Sequence, residues 1–205
     1  MNNFNYDKKD KTNKIALFAS GSGTNAENIA NYFQKRKGTT IALILTNKND
    51  AFVIQRAKRL NIPFLVFGKD DFYKTRKILN ILLENNIDLI VLAGFLWLIP
   101  ENIIHSFNKR IINIHPALLP NFGGKGMYGD HVHKKVIETC QIESGITIHF
   151  VNEHYDDGDI IFQAKCKVEK NDTPETLANK IHILEHENYP RIVEEVLSGF
   201  SLPTN

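Results

Sequence analysis

Cysteine is scarce. Cys140 and Cys166 are the only two in 205 residues, too few for a disulfide scaffold and without metal-type spacing. An excess of one charge is also lacking: 25 Lys and Arg stand against 23 Asp and Glu, a net of +2. That balance gives no broad electrostatic footprint for a nucleic acid or an anionic membrane. No apolar run reaches the ~18 residues of a membrane span; the longest, over residues 87–100, is broken by Asp88 and Gly94. No arginine precedes Arg36, and residues 1–13 contain no apolar core of a secretory signal, which argues against a transit or signal peptide. Residues 1–13 read as a disordered leader rich in Asn and Lys, and residues 14–205 as one domain of ordinary globular composition, 42% hydrophobic and 23% charged. These absences predict a soluble, single-domain protein of a reduced compartment, expected to be cytoplasmic. The partners expected are small molecules, with no nucleic acid and no membrane, and the expected state is a monomer or homodimer.

What is present is alternation. Apolar runs of strand length at 15–19, 40–46, 64–67 and 89–92 are separated by helix-period segments at 26–35, 51–60 and 70–85. Continuous rather than alternating apolar strands are what a sheet covered on both faces requires. A fifth strand is predicted over 110–115, stopped by Pro116, then a helix over 131–138. Strands at 146–151 and 160–168 flank a turn-rich connection short enough for a hairpin. A final helix begins near Thr173-Pro-Glu175, with a kink expected at Pro190. The pattern predicts an α/β fold: a Rossmann-like, doubly wound, mostly parallel sheet with an antiparallel hairpin in the C-terminal half.

Ser20-Gly-Ser-Gly-Thr-Asn-Ala26 follows the first strand and opens the first helix. Small residues let backbone approach an anion, and the helix start points free N–H groups at it, so a phosphate site is expected here. Gly21, Gly23 and Ala26 also fit the dinucleotide fingerprint, but the second strand ends in Thr46-Asn47 without the acid that holds a ribose. A merely tight turn is the remaining alternative.

The strongest signal is Asn113-Ile-His-Pro-Ala-Leu-Leu-Pro120. Period two puts Asn113 and His115 on one strand face, at the C-terminal end where open α/β sheets place ligands. An amide donor beside an imidazole suits acyl transfer, one stabilising an oxyanion while the other moves a proton.

Here the chain resembles the folate-dependent formyltransferases, over about residues 14–200. Ser-Gly-Ser-Gly-Thr-Asn25, Thr-Asn-Lys-Asn-Asp-Ala-Phe52, Val-Leu-Ala-Gly-Phe95, the Asn-x-His-Pro-x-Leu-Leu-Pro element, Asp-Asp-Gly158 and Glu-His186 carry the likeness. The phosphate turn and the Glu-His pair resemble the glycinamide ribonucleotide branch of that superfamily. The resemblance implies His115 as general acid/base, Asn113 as oxyanion donor and Asp156 as the carboxylate that keeps the imidazole protonated. It places Gly23, Thr24 and Asn25 on the ribonucleotide phosphate, with His182 and Glu185 on the same substrate. Leu96, Trp97, Leu98 and Ile99, together with Asn113 and the segment Asn152, Glu153, His154, Tyr155 and Asp156, would bind the folate. The co-substrate implied is 10-formyltetrahydrofolate, with no metal, and the acceptor is glycinamide ribonucleotide of purine synthesis. Trp97 departs from the family, many of whose members carry a basic residue there. No Arg stands near Asp70-Asp71, where some bacterial members place a folate contact. The loop 122–129 is richer in glycine than the common form.

Rival readings rest on shorter signals. His182-Ile-Leu-Glu-His186 matches the inverted zinc-protease pattern, with Glu194 or Glu195 as a third ligand. Asp156, Asp157 and Asp159 lack the spacing of a calcium loop. A nucleotide-binding module without catalysis would leave Asn113, His115 and Asp156 without purpose. Within the superfamily, the tRNA-directed formyltransferases and the formyltetrahydrofolate hydrolases normally carry a further domain, for which this length leaves no room.

Overall fold

The computed structural model describes residues 12–199. The expected leader, apart from its last two residues, and positions 200–205 of the expected domain lie outside the described residues. Asn13, the last residue of the expected leader, pairs in the first strand.

The strands are β1 (Asn13–Phe18), β2 (Thr39–Thr46), β3 (Phe64–Val66), β4 (Leu89–Leu92), β5 (Ile111–His115), β6 (Glu143–Phe150) and β7 (Ile160–Lys167). They form one sheet in the order β3-β2-β1-β4-β5-β6-β7. The first five are parallel, and β6 runs antiparallel to both β5 and β7. The helices are α1 (Thr24–Gln34), α2 (Val53–Arg59), α3 (Lys77–Glu84), α4 (Glu101–Ser106), α5 (Asp130–Glu138) and α6 (Pro174–Leu197).

The parallel strands β1, β2, β4 and β5 each feed two cores. On β1, Ile15 and Leu17 point to the face covered by α1, α2, α5 and α6, while Ala16 and Phe18 point to the face covered by α3 and α4. All four are fully buried, which is why the strand reads as an unbroken apolar run. From α6, the buried Tyr189 donates its hydroxyl to the carbonyl of Leu92 at 2.9 Å, tying the last helix to the end of β4.

Two local expectations change, over residues 70–85 and at α4. The helix expected over 70–85 is split into a single π-helical turn, Asp70–Lys74, and α3. Thr75 lies between them in an extended conformation (φ −129°, ψ 172°). Its hydroxyl donates to Asp71 O at 2.9 Å and accepts from Lys77 N–H at 3.2 Å, replacing helical backbone bonds. At Pro190, α6 continues unbroken. Proline cannot donate to the carbonyl four residues back; that carbonyl, of His186, accepts instead from Asn28 Nδ2 on α1 at 2.8 Å. Helix α4 was not expected. It starts at Pro100, whose carbonyl accepts from Ile103 and Ile104, and Glu101 occupies its first turn.

Candidate active site

A cavity of about 660 Å³ opens at the C-terminal ends of β1, β4 and β5. Strand order reverses direction between β1 and β4, the place where doubly wound sheets bind ligands. Buried Ser20 ties the loops together there: its N–H donates to Gly94 O at 3.0 Å, and its Oγ accepts from Leu96 N–H at 3.0 Å.

At one end lies the glycine turn. Gly23 precedes α1 in the left-handed region (φ 75°). The first helical bond runs from Glu27 N–H to Gly23 O at 2.9 Å, so the amides of Thr24, Asn25 and Ala26 have no helical acceptor. A Cβ on Gly23 would sit 2.4 Å from Val53 Cγ2, so glycine is required by packing against α2. Asn25 Nδ2 donates to Glu185 Oε2 at 2.9 Å. Asn25 Oδ1 is buried with no partner among the described residues, an acceptor suited to a ligand hydroxyl. Glu185, itself buried, also accepts from His182 Nδ1 at 3.0 Å, and this bond raises the His182 pKa above its ordinary value.

At the other end stand Asn113, His115 and Asp156. Register places Asn113 opposite His149 and His115 opposite Thr147. Thr147 Oγ1 donates to Ala117 O at 2.7 Å and accepts from Leu119 N–H at 2.9 Å, fixing the chain just after Pro116. Asp156 comes from the β6–β7 connection with φ 54°. Its turn closes against β6 so tightly that a Cβ on Gly158 would lie 1.8 Å from Phe150 O.

The carboxylate of Asp156 is the hub. Oδ2 lies 3.4 Å from His115 Nδ1 and accepts from Gly124 N–H at 3.0 Å. Oδ1 lies 3.7 Å from His149 Nε2 and 3.5 Å from Asn113 Nδ2. Burial pushes the Asp156 pKa up, but the two histidines and the Gly124 amide outweigh it, and the group stays below its ordinary value. His149 Nδ1 donates to Phe150 O at 2.8 Å, leaving Nε2 to accept from Asn113 Nδ2 at 3.2 Å. His115 Nε2 donates to Phe122 O at 2.7 Å.

Burial pushes the His115 pKa down; Asp156 and the Phe122 carbonyl push it up but do not overcome that burial. His115 therefore lies below its ordinary value in the free chain.

The cleft brings together Gly23, Thr24, Asn25, Asn113, His115, His182 and Glu185, with Leu96 to Ile99 and His154 to Asp156. Two residues expected on the folate side do not line it. Asn152 donates to Asp157 Oδ2 at 3.2 Å, and Glu153 reaches outward to His105 Nε2 at 3.6 Å. Trp97 packs on Phe72 and Phe67, with centroids 5.9 and 6.0 Å away, and Lys69 Nζ lies 5.9 Å from its ring. Several lining residues were missed, His149, Lys48 and His133 among them. His149 shares the period-two face of Thr147 and was findable from register; Lys48 and His133 carry no such sequence signal. His133 is buried, and its Nδ1 has no partner among the described residues.

In the H-x-x-E-H run, the central Glu185 accepts from Asn25 and His182 inside this cleft. Among the described residues no three His, Cys, Asp or Glu side chains are grouped to hold a metal, and no helix is long and apolar enough to cross a membrane.

A doubly wound sheet with an open-amide turn facing a buried His–Asp pair defines an α/β protein with a two-ended ligand cleft. The formyl transferase family profile matches residues 13–193, and the chain belongs to that family. It is 43% identical over 186 residues to the chloroplastic phosphoribosylglycinamide formyltransferase of Arabidopsis thaliana, covering 88% of this chain and 64% of the relative; it thus spans under two thirds of that plant protein's length. It is 34% identical over 189 residues to the phosphoribosylglycinamide formyltransferase of Bacillus subtilis (strain 168), covering 90% of this chain and 94% of the relative. The crystal structure of the Bacillus halodurans phosphoribosylglycinamide formyltransferase superposes with a TM-score of 0.81 at 37% identity, covering 92% of this chain and 97% of the other.

Proposed function

We propose that this chain transfers the formyl group of 10-formyltetrahydrofolate to the amine of N1-(5-phospho-D-ribosyl)glycinamide, a step of purine (IMP) biosynthesis. The observation that carries the reading is one cleft with an anion-ready turn at one end and the Asn113–His115–Asp156 cluster at the other. The phosphate rests on the amides of residues 23–25, and the ribose meets Asn25, His182 and Glu185. The pteridine enters between Leu96 to Ile99 and His154 to Asp156.

Attack of the amine on the formyl carbon gives a tetrahedral oxyanion. Asn113 Nδ2 and His115 stabilise it, each such donor being worth about 3 kcal/mol. Protonated His115, its charge stabilised by Asp156, donates to the oxyanion through Nε2, and the proton lost by the amine passes to the leaving N10 as the C–N10 bond breaks. In the free chain the Asn113 and His115 donors are already bonded to His149, Asp156 and Phe122. Substrate binding therefore draws the Phe122 carbonyl away from His115, and the loop 122–129, with Lys125 in the cleft, moves with it. No metal takes part. The chain works as a monomer or homodimer, and the reading places it in the cytoplasm; the plant relative is described as chloroplastic.

The test is formyl transfer with glycinamide ribonucleotide and 10-formyltetrahydrofolate, beside no-acceptor and tRNA controls. Acceptor-dependent formyl loss supports the reading. Formyl loss without acceptor would make the chain a hydrolase, and transfer to tRNA would replace the acceptor.

A further inference from the structure

The glycine turn is held from behind, by α2. Val53 N–H donates to Gly21 O at 3.2 Å, and the Val53 side chain fills the space beside Gly23. One turn further on, Arg56 Nε donates to the Ser22 carbonyl at 2.8 Å. Its Nη1 pairs with Glu27 of α1, which Arg59 also engages. The Arg56 side chain is only 16% exposed, and it stands outside the cavity that Ser22 and Gly23 line.

The Ser22 carbonyl and the Gly23 N–H belong to one planar trans peptide, so they point in opposite directions. Drawing the carbonyl toward α2 turns the N–H toward the cleft. A flipped peptide would present a carbonyl oxygen to an anion, and glycine on the C-terminal side makes such a flip cheap. Glu27 meanwhile neutralises Arg56, keeping the guanidinium in place behind the turn.

We propose that Arg56 is a positioning residue for the acceptor's phosphate: by holding the Ser22 carbonyl it fixes the Gly23 amide toward the anion. The proposal rests on reading the turn as the phosphate site. Arginine is needed because two directed donors must reach a carbonyl and a carboxylate at once, whereas lysine offers a single point charge.

The experiment compares wild type, R56Q, R56K and E27Q with the phosphorylated acceptor, its unphosphorylated analogue and inorganic phosphate as a competitor. R56Q is expected to raise both the KM for the phosphorylated acceptor and the phosphate inhibition constant by about tenfold, the effect of one lost charge-assisted hydrogen bond. The maximal kcat, the folate KM and kcat/KM with the unphosphorylated analogue are expected to stay within about twofold on the same scale. R56K recovers part of the loss. E27Q, whose amide oxygen still accepts from the guanidinium, is expected to raise the acceptor KM by less than R56Q does. Equal losses with both acceptors, a parallel rise in folate KM, or an E27Q defect as large as that of R56Q would overturn the proposal while leaving the phosphate reading intact. A wild type that neither prefers the phosphorylated acceptor nor responds to inorganic phosphate would overturn both.

Discussion

The glycine-turn end of the cleft offers main-chain amides that no helical acceptor uses, whereas at the histidine end the Asn113 and His115 donors are already engaged by the protein. The first is fixed by the start of a helix and by α2 packed behind it, so a ligand finds it ready made. The second is a set of side chains that satisfy one another when the cleft is free, as buried polar groups must. A ligand there has to exchange one hydrogen bond for another. Affinity is therefore expected to reside at the turn, and the rate to depend on how the histidine end rearranges.

The sharpest way to break the histidine end alone is Asp156→Asn. The amide keeps the size but loses the charge that stabilises an imidazolium at His115. We expect kcat to fall by roughly 10²–10³-fold, with the acceptor KM changed only a few fold. His115 loses an upward push, so its pKa drops further and the alkaline limb of the pH–rate profile moves to lower pH. A variant with wild-type rate and profile would remove Asp156 from the mechanism.

Gly158→Ala attacks the same end through the backbone. The new Cβ falls 1.8 Å from Phe150 O, so the turn carrying Asp156 has to shift. Overpacking of this kind costs about 1–3 kcal/mol, or a melting loss of roughly 2–4 °C per kcal/mol for a chain of this size, together with a lower kcat. Unchanged melting and turnover would show that the turn yields freely.

Gly23→Val tests the opposite end. Its Cβ collides with Val53 rather than with the ligand, so the turn is displaced. The expected outcome is a raised KM for the phosphorylated acceptor with kcat and folate KM largely kept, read by steady-state kinetics. A loss confined to folate affinity would reverse the assignment of the two ends.

Amide exchange distinguishes the ends without mutation. Gly124 N–H is bonded to Asp156 in the free chain, and its protection is expected to change when both substrates bind, along with the rest of residues 122–129. Residues 24–34 of α1 should show a smaller change. Identical exchange with and without ligands would mean that both ends are preformed.

The smallest effect is on stability. Burial holds His115 and His133 below their ordinary values, so below about pH 6.5 the unfolded chain binds more protons than the folded one. Stability from these two groups is complete above that pH and declines as pH falls through it. His182, raised by Glu185, contributes in the opposite sense, fully present below about 6.5 and lost as pH rises through its higher folded value. It is more than half exposed and the weaker influence. Denaturant midpoints between pH 5 and 8 should therefore decline toward acid; a flat or rising profile would contradict the burial of the two histidines.

The sequence by itself determined the sheet, the glycine turn and the Asn113–His115 face, because these depend on periods of two and 3.6 and on short-range steric preferences that any stretch of chain carries with it. It also located the functional end of the sheet, since strand–helix alternation leaves open only the C-terminal edge. Tertiary structure alone decided the rest. Thr75 breaks a helix that periodicity extends, because its hydroxyl replaces backbone partners. Pro190 leaves α6 unbroken because Asn28, 158 residues away from His186, caps the orphaned carbonyl. Asn152 and Glu153 turn from the cleft because nearby partners claim them, and His149 joins it through strand register. The direction in which the His115 pKa is pushed was out of reach for the same reason. It is the balance between one carboxylate and the burial imposed by every element packed around it, and burial is a property of the whole fold.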